Sequence, residues 1–224
     1  MLTQSRYLSA QQEYAGLRKF VPATVSEQRN SPISGTEPTL SASAEHAAEH
    51  NSSITLSDIN PDYAGWIRIN DTAIDYPIVR GQDNEKYLDA SFVGNKNPSG
   101  AIFMDSACRK GFDGSYITLH GHNMKDGSMF AGLNRYLEKD YLAKHSEIRV
   151  ITPENRTRAY HIVDVKVTDI HDQAYLWVNK SRQEVRDDLA LKIVSDEGKQ
   201  ILVLSTCINQ GRKDERLLII AQEA

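Results

Sequence analysis

The sequence predicts a mainly β fold: eight short strands, closed into a barrel or stacked as a sandwich, with helices at the periphery. Three observations lead there. Short runs rich in Val, Ile, Leu and Tyr recur through residues 57–224, divided by Gly, Asn, Asp and Pro. Gly65-Trp66-Ile67-Arg68-Ile69 alternates as a half-buried strand does, and Asn70-Asp71 then turns the chain. Only three segments between the runs carry a helical pattern.

Taken in order, residues 1–20 read as a helix, with Leu2, Leu8, Tyr14 and Leu17 forming an apolar stripe among good helix formers. Residues 21–56 read as a flexible linker. From Pro22 to Thr55 the chain is rich in Ser, Thr, Glu, Ala and Pro, lacks aromatic residues, and has only Val25, Ile33, Leu40 and Ile54 as large aliphatics, too little to offset the entropy of ordering. His46 and His50 lie there at i, i+4 spacing, but with no third ligand nearby they do not make a metal site.

The compact domain covers 57–224. After Gly65–Ile69 the expected strands are Ala73–Val79, Ala101–Met104, Tyr116–His120, Ile148–Thr152, Arg158–Asp169, Gln200–Thr206 and Leu217–Ala221. Helices are expected over Asn84–Leu88, Ser128–Leu137 and Ser181–Ser195. The last opens on the capping box Ser181-Arg182-Gln183-Glu184, carries Val185, Leu189 and Ile193 on one face, and stops at Gly198.

Composition narrows the function. With 40% hydrophobic residues, 25% charged and a net charge of −4, the chain lacks the basic face that nucleic-acid binding requires. No stretch reaches the roughly 18 unbroken apolar residues of a membrane span, and no signal peptide is evident. Two cysteines, Cys108 and Cys207, are too few for a disulfide scaffold. One bridge between them, or two free thiols, both stay open.

Reactive side chains fall at strand ends in two places. Leu119-His120-Gly121-His122-Asn123-Met124 runs from a strand into a glycine turn, and Leu202-Val203-Leu204-Ser205-Thr206-Cys207 is an apolar strand ending on a thiol. Arg216 then opens the last strand. A thiol becomes a strong nucleophile once ionised, which a nearby imidazolium or guanidinium favours. Attack on a peptide carbonyl creates an oxyanion that a fixed cation stabilises, and an imidazolium protonates the leaving amine. Each residue also has a plain reading: Cys207 as core, His122 as a turn residue bonded to backbone, Arg216 as a surface charge beside a strand.

The Leu-Ser-Thr-Cys run with Arg216 ahead of an aliphatic strand resembles the cysteine motif and arginine strand of the sortases. Gly121-His122-Asn123-Met124, followed by Met129-Phe130 and Leu133, is similar to the family's histidine segment. Asn60-Pro61-Asp62-Tyr63-Ala64-Gly65-Trp66-Ile67, Ile74-Asp75-Tyr76-Pro77-Ile78-Val79, Asp83-Asn84-Glu85-Lys86-Tyr87-Leu88 and Gly100-Ala101-Ile102-Phe103-Met104-Asp105 resemble its class B members. The resemblance runs from Ile59 to Ala221.

It implies an eight-stranded sortase-type β-barrel and a cysteine transpeptidase using His122, Cys207 and Arg216. It also implies a groove lined by Asn84, Leu88 and Ser205; His120 and Cys108 do not match catalytic positions. The implied partners are the sorting-signal peptide of a secreted surface protein and an amine of a peptidoglycan precursor, with no cofactor and no metal. The implied place is the extracytoplasmic face of the cell membrane of a Gram-positive bacterium, with an N-terminal anchor expected in the native form beyond the residues given. Val203 stands where the family motif usually has Thr, and the linker is long for the family. A thiol peptidase using water, or a non-catalytic surface-binding domain, are the competing expectations.

Overall fold

Eight strands close into a barrel in the computed structural model, which describes residues 2–21, 54–181, 184, 185, 187, 198–208 and 214–224. The strands are β1 (Tyr63–Arg68), β2 (Asp75–Val79), β3 (Ile102–Met104), β4 (Tyr116–His120), β5 (Glu147–Ile151), β6 (Thr157–Asp169), β7 (Ile201–Cys207) and β8 (Glu215–Glu223). Their order around the barrel is β1-β2-β3-β4-β7-β8-β6-β5, closed by pairing of β5 with β1. Closure, rather than a sandwich, leaves no open sheet edge.

The site depends on the neighbours β4, β7 and β8. β7 lies parallel to β4, with His120 level with Ser205, and antiparallel to β8. Side chains alternate between faces along a strand, and the packing follows that rule. Leu202, Leu204, Leu217, Ile219 and Ala221 join Ile117 and Leu119 in the barrel core. Ile201, Val203, Leu218 and Ile220 form a separate outer cluster with Ala174, Trp177 and Val185. β7 is therefore covered on both faces, which accounts for its unbroken apolar run. Val203 is 1% exposed within the outer cluster, so its missing hydroxyl leaves no polar group unpaired.

The cover over that outer face comes from a 3-10 helix, Gln173–Asn179, whose Ala174 and Trp177 recur at i, i+3, the period of such a helix. Asp172 caps it, accepting a hydrogen bond from the Ala174 N–H. The expected Ser181 capping box is present: the Ser181 hydroxyl accepts from the Glu184 N–H at 3.3 Å, and the Glu184 carboxylate accepts from the Ser181 N–H at 2.8 Å. The remainder of the expected Ser181–Ser195 helix lies outside the described residues apart from Val185 and Asp187, as does most of the expected linker with His46 and His50.

Two expected helices are shorter than the pattern implied. The first is a 3-10 turn over Lys86–Leu88, because the Asp83 carboxylate takes the N–H groups of both Glu85 and Lys86. The second is a 3-10 helix over Ala131–Leu137, because Met129 adopts φ 55° and bridges to Asn123. The expected N-terminal helix is present as α1, Leu2–Leu17, and it docks on the barrel. The Tyr14 hydroxyl donates to the Gly100 carbonyl at 2.7 Å, and Arg18 pairs with Asp75 at 2.9 Å. Sequence patterning missed the short helices α2, Leu56–Ile59, boxed by Thr55 and Asp58, and α3, Lys139–Lys144, each too short to show a period. Among the described residues no helix is long and apolar enough to cross a membrane.

Candidate active site

Cys207 is the last residue of β7 and the first on that strand to be exposed. Its parity is that of Ile201, Val203 and Ser205, so the thiol lies on the outer face, away from the barrel core. The reading of Cys207 as a core residue is thereby excluded, and both cysteines are free thiols, which excludes the bridge between them. Directly across the β7–β8 pair stands Arg216. Residues opposed in this way have side chains on one face with Cα atoms about 4.5–5.5 Å apart. The guanidinium donates from Nη1 to the Glu215 carbonyl at 2.9 Å.

The histidine turn is joined to the same strand end by three hydrogen bonds. The Gly121 N–H donates to the Ser205 carbonyl at 3.2 Å, the Thr206 hydroxyl donates to the Gly121 carbonyl at 2.7 Å, and the Asn123 amide donates to the Cys207 carbonyl at 2.7 Å. Gly121 is required here: a Cβ would lie 2.5 Å from Ile102 Cδ1 and 2.7 Å from Phe130. The half-buried His122 contacts the Leu88 carbonyl through Nε2 at 2.7 Å. A carbonyl only accepts, so Nε2 carries a proton and Nδ1 is the nitrogen left for proton exchange.

Of the expected groove residues, Leu88 is 45% exposed beside His122. Asn84 is engaged at both ends of its amide, donating to Asp105 at 3.0 Å and accepting from the Ser106 N–H at 2.8 Å. Ser205 is 3% exposed, and its hydroxyl is 2.7 Å from the hydroxyl of Tyr175.

Tyr175 escaped sequence reasoning. It sits on the Gln173–Asn179 helix, stacks near-parallel on His120 at 6.1 Å, and lies within electrostatic reach of both Arg216 and Cys207. Burial raises its phenol pKa, while the bond to Ser205 and the Arg216 charge pull the other way. The usable signal was the aromatic spacing of Tyr175 and Trp177 just ahead of a capping box. His120 is structural in its contacts: it lies between Phe103 and Tyr175, with Nε2 2.9 Å from the Asp105 carboxylate. Burial pushes the Asp105 carboxyl up, but hydrogen bonds from His120, the Ala107 N–H and Asn84 outweigh it and hold the group below its ordinary value. Burial pushes the second thiol, Cys108, up to about 11.

Among the described residues no three His, Cys, Asp or Glu side chains are placed to hold a metal ion. An exposed thiol opposite a guanidinium, with an imidazole-bearing turn bonded to its own backbone, is suited to nucleophilic acyl transfer.

Comparison with known proteins agrees with this geometry. The family model for the Sortase domain matches residues 67–224. Sortase B of Listeria monocytogenes is 31% identical over 179 residues, covering 74% of this chain and 70% of that protein. A Streptococcus pyogenes class B sortase involved in pilus biogenesis superposes with a TM-score of 0.67 and 27% identity, over 75% of this chain and 96% of that one. Sortase B of Staphylococcus aureus in its substrate complex gives a TM-score of 0.60 and 25% identity, over 75% and 82% of the two chains. With its barrel, its cysteine strand and its histidine turn accounted for, the chain belongs to the sortase family of cysteine transpeptidases, among relatives of class B.

Proposed function

We propose that this transpeptidase cleaves the C-terminal sorting signal of secreted surface proteins after Thr and passes the new carboxyl, through a thioester on Cys207, to an amine of a peptidoglycan precursor. The observation that carries the reading is the junction described above. The turn bearing His122 is hydrogen-bonded to Ser205, Thr206 and Cys207, while Arg216 stands opposite Cys207, so a turn distant in the sequence meets the strand end that carries the thiol and the guanidinium.

In this reading the thiol of Cys207 gives its proton to Nδ1 of His122 and attacks the threonine carbonyl. Arg216 stabilises the tetrahedral oxyanion. The imidazolium, oriented by Nε2 on the Leu88 carbonyl, then protonates the departing amine. The incoming amine attacks the thioester, His122 accepts its proton, and the thiolate leaves. Leu88 supplies an exposed apolar wall, and Asn84 and Ser205 act on the groove from beneath, by fixing the Asp105–Ser106 loop and Tyr175. The domain is assigned to residues 57–224, with the helix 1–20 and linker 21–56 ahead of it, acting at the extracytoplasmic face of the cell membrane. The Staphylococcus aureus relative solved with its substrate supports a peptide in this groove.

The test uses peptides of the forms Xaa-Pro-Xaa-Thr-Gly and Asn-Pro-Xaa-Thr-Xaa, with and without an added amine. The expected result is an acyl adduct at Cys207 by intact mass, with the amine diverting product from acid to amide. Product that stays acid at every amine concentration identifies a peptidase instead, and absence of any adduct identifies a binding domain.

A further inference from the structure

We propose that Asn123 is a positioning residue for acyl transfer, its side-chain amide fixing the main chain of Cys207 relative to His122. The inference rests on the site reading above. Of the three bonds between turn and strand, only this one reaches Cys207 itself, and it comes from the residue covalently next to His122.

The orientation of the amide follows from its partners. The Cys207 carbonyl only accepts, so it faces Nδ2, at 2.7 Å. Oδ1 then accepts from Asn134 Nδ2 at 3.1 Å, and Asn134 Nδ2 also donates to the Ala131 carbonyl at 3.0 Å. The backbone is held as well: Asn123 bridges to Met129, and the Phe130 N–H donates to the His122 carbonyl at 2.9 Å. Asn123 is thus fixed at the backbone and at both ends of its amide, and the order it imposes falls on the cysteine and the histidine. Catalysis is sensitive to such order, since a misplacement of about 1 Å costs roughly 10²-fold in rate.

Aspartate at this position keeps the shape and removes the donor. It sets a carboxylate oxygen against the Cys207 carbonyl and brings a negative charge beside the thiol and the imidazole, which favours the protonated form of each. Alanine removes the tether and adds no charge. The two variants therefore differ in a way that a merely structural role does not predict.

The experiment measures kcat, KM for the signal peptide, the pH–rate profile and Tm for the native protein, N123A and N123D. N123A is expected to lower kcat by about 10- to 100-fold, with KM for the peptide within about twofold and the pH profile unmoved. N123D is expected to lose kcat and to shift its profile to higher pH. Native kcat and profile in both folded variants overturn the inference, as does a fall in Tm alone. If the Asn123 variants fail to fold, N134A decides, since it leaves Asn123 in place and removes the partner that orients it. A fall of a few-fold in kcat supports the proposal, and an unchanged kcat overturns it. Failure of the native protein to form a Cys207 thioester overturns the site reading and this inference together, whereas native thioester formation matched by the variants overturns this inference alone.

Discussion

Cys207, the last residue of β7, and Arg216, the second residue of β8, are direct cross-strand partners, so a thiol and a guanidinium are presented on the same outer face by the register of two strands. Strand pairing fixes this more firmly than a loop does, because a one-residue slip would turn every side chain of β8 to the opposite face. Arg216→Lys keeps the charge and the register but replaces a planar, forked donor with a point charge. The expected outcome is a fall in kcat of about 10²- to 10³-fold, the range seen on removal of an oxyanion donor, with stability changed by no more than about 0.5 kcal/mol. Single-turnover acylation rates together with urea titration measure both.

Cys207→Ala is expected to abolish acylation and leave the fold intact. The residue is exposed at a strand end, so truncation opens no cavity in the core. The same variant tests selectivity. Cys108 is 2% exposed and its thiol is pushed up to about 11, so at neutral pH it is a protonated, sheltered thiol. Iodoacetamide at pH 7.5 is expected to add one label to the native protein and none to Cys207→Ala. Labelling of Cys108 in the folded variant would contradict this account.

The fold was legible because β7, β8 and β4 carry their pattern locally: aliphatic runs bounded by turn residues place these strands within one or two residues of where they lie. Cys207, His122 and Arg216 stood out by residue type at strand ends. Their convergence was not legible, because it depends on the parallel β4–β7 pairing and on side-chain bonds such as Asn123 to Cys207, whose partners lie 84 residues apart in the sequence. Tyr175 was missed because its place is set by contacts distant in the sequence, the hydroxyl bond to Ser205 and the ring stack on His120. The Ser128 helix was drawn too long because the left-handed Met129 is set by its bridge to Asn123, a contact that composition does not carry.

Asp105 carries a pH dependence of stability. Its carboxyl is held below the ordinary value by bonds from His120, Ala107 and Asn84 that outweigh burial. A depressed folded-state pKa means that the stabilisation is present above the unfolded value of about 3.9 and is lost as pH falls through the folded value. The difference in urea stability between pH 6 and pH 3 is expected to be larger in the native protein than in Asp105→Asn, by about 1 kcal/mol. Equal differences would show that the carboxylate contributes nothing through its charge.

Gly121→Ala tests whether the close approach of the histidine turn to the barrel wall sets the site. An added Cβ would stand 2.5 Å from Ile102 Cδ1 and 2.7–2.8 Å from two ring carbons of Phe130, both in side chains fully buried in the core. Ile102 Cδ1 ends a flexible side chain, but the Phe130 ring is rigid and fully buried, so the turn is expected to shift outward, carrying its bonds to Ser205 and Thr206 with it. Overpacking of this kind costs about 1–3 kcal/mol, which lowers Tm by several degrees in a domain of this size. Because His122 follows directly, the displaced turn also moves the imbalance into catalysis: kcat is expected to fall by at least about 10-fold in protein that circular dichroism shows to be folded. A Gly121→Ala protein with native Tm and native kcat would mean that Ile102 and Phe130 yield freely, and that the turn is not held against the barrel as tightly as these contacts require.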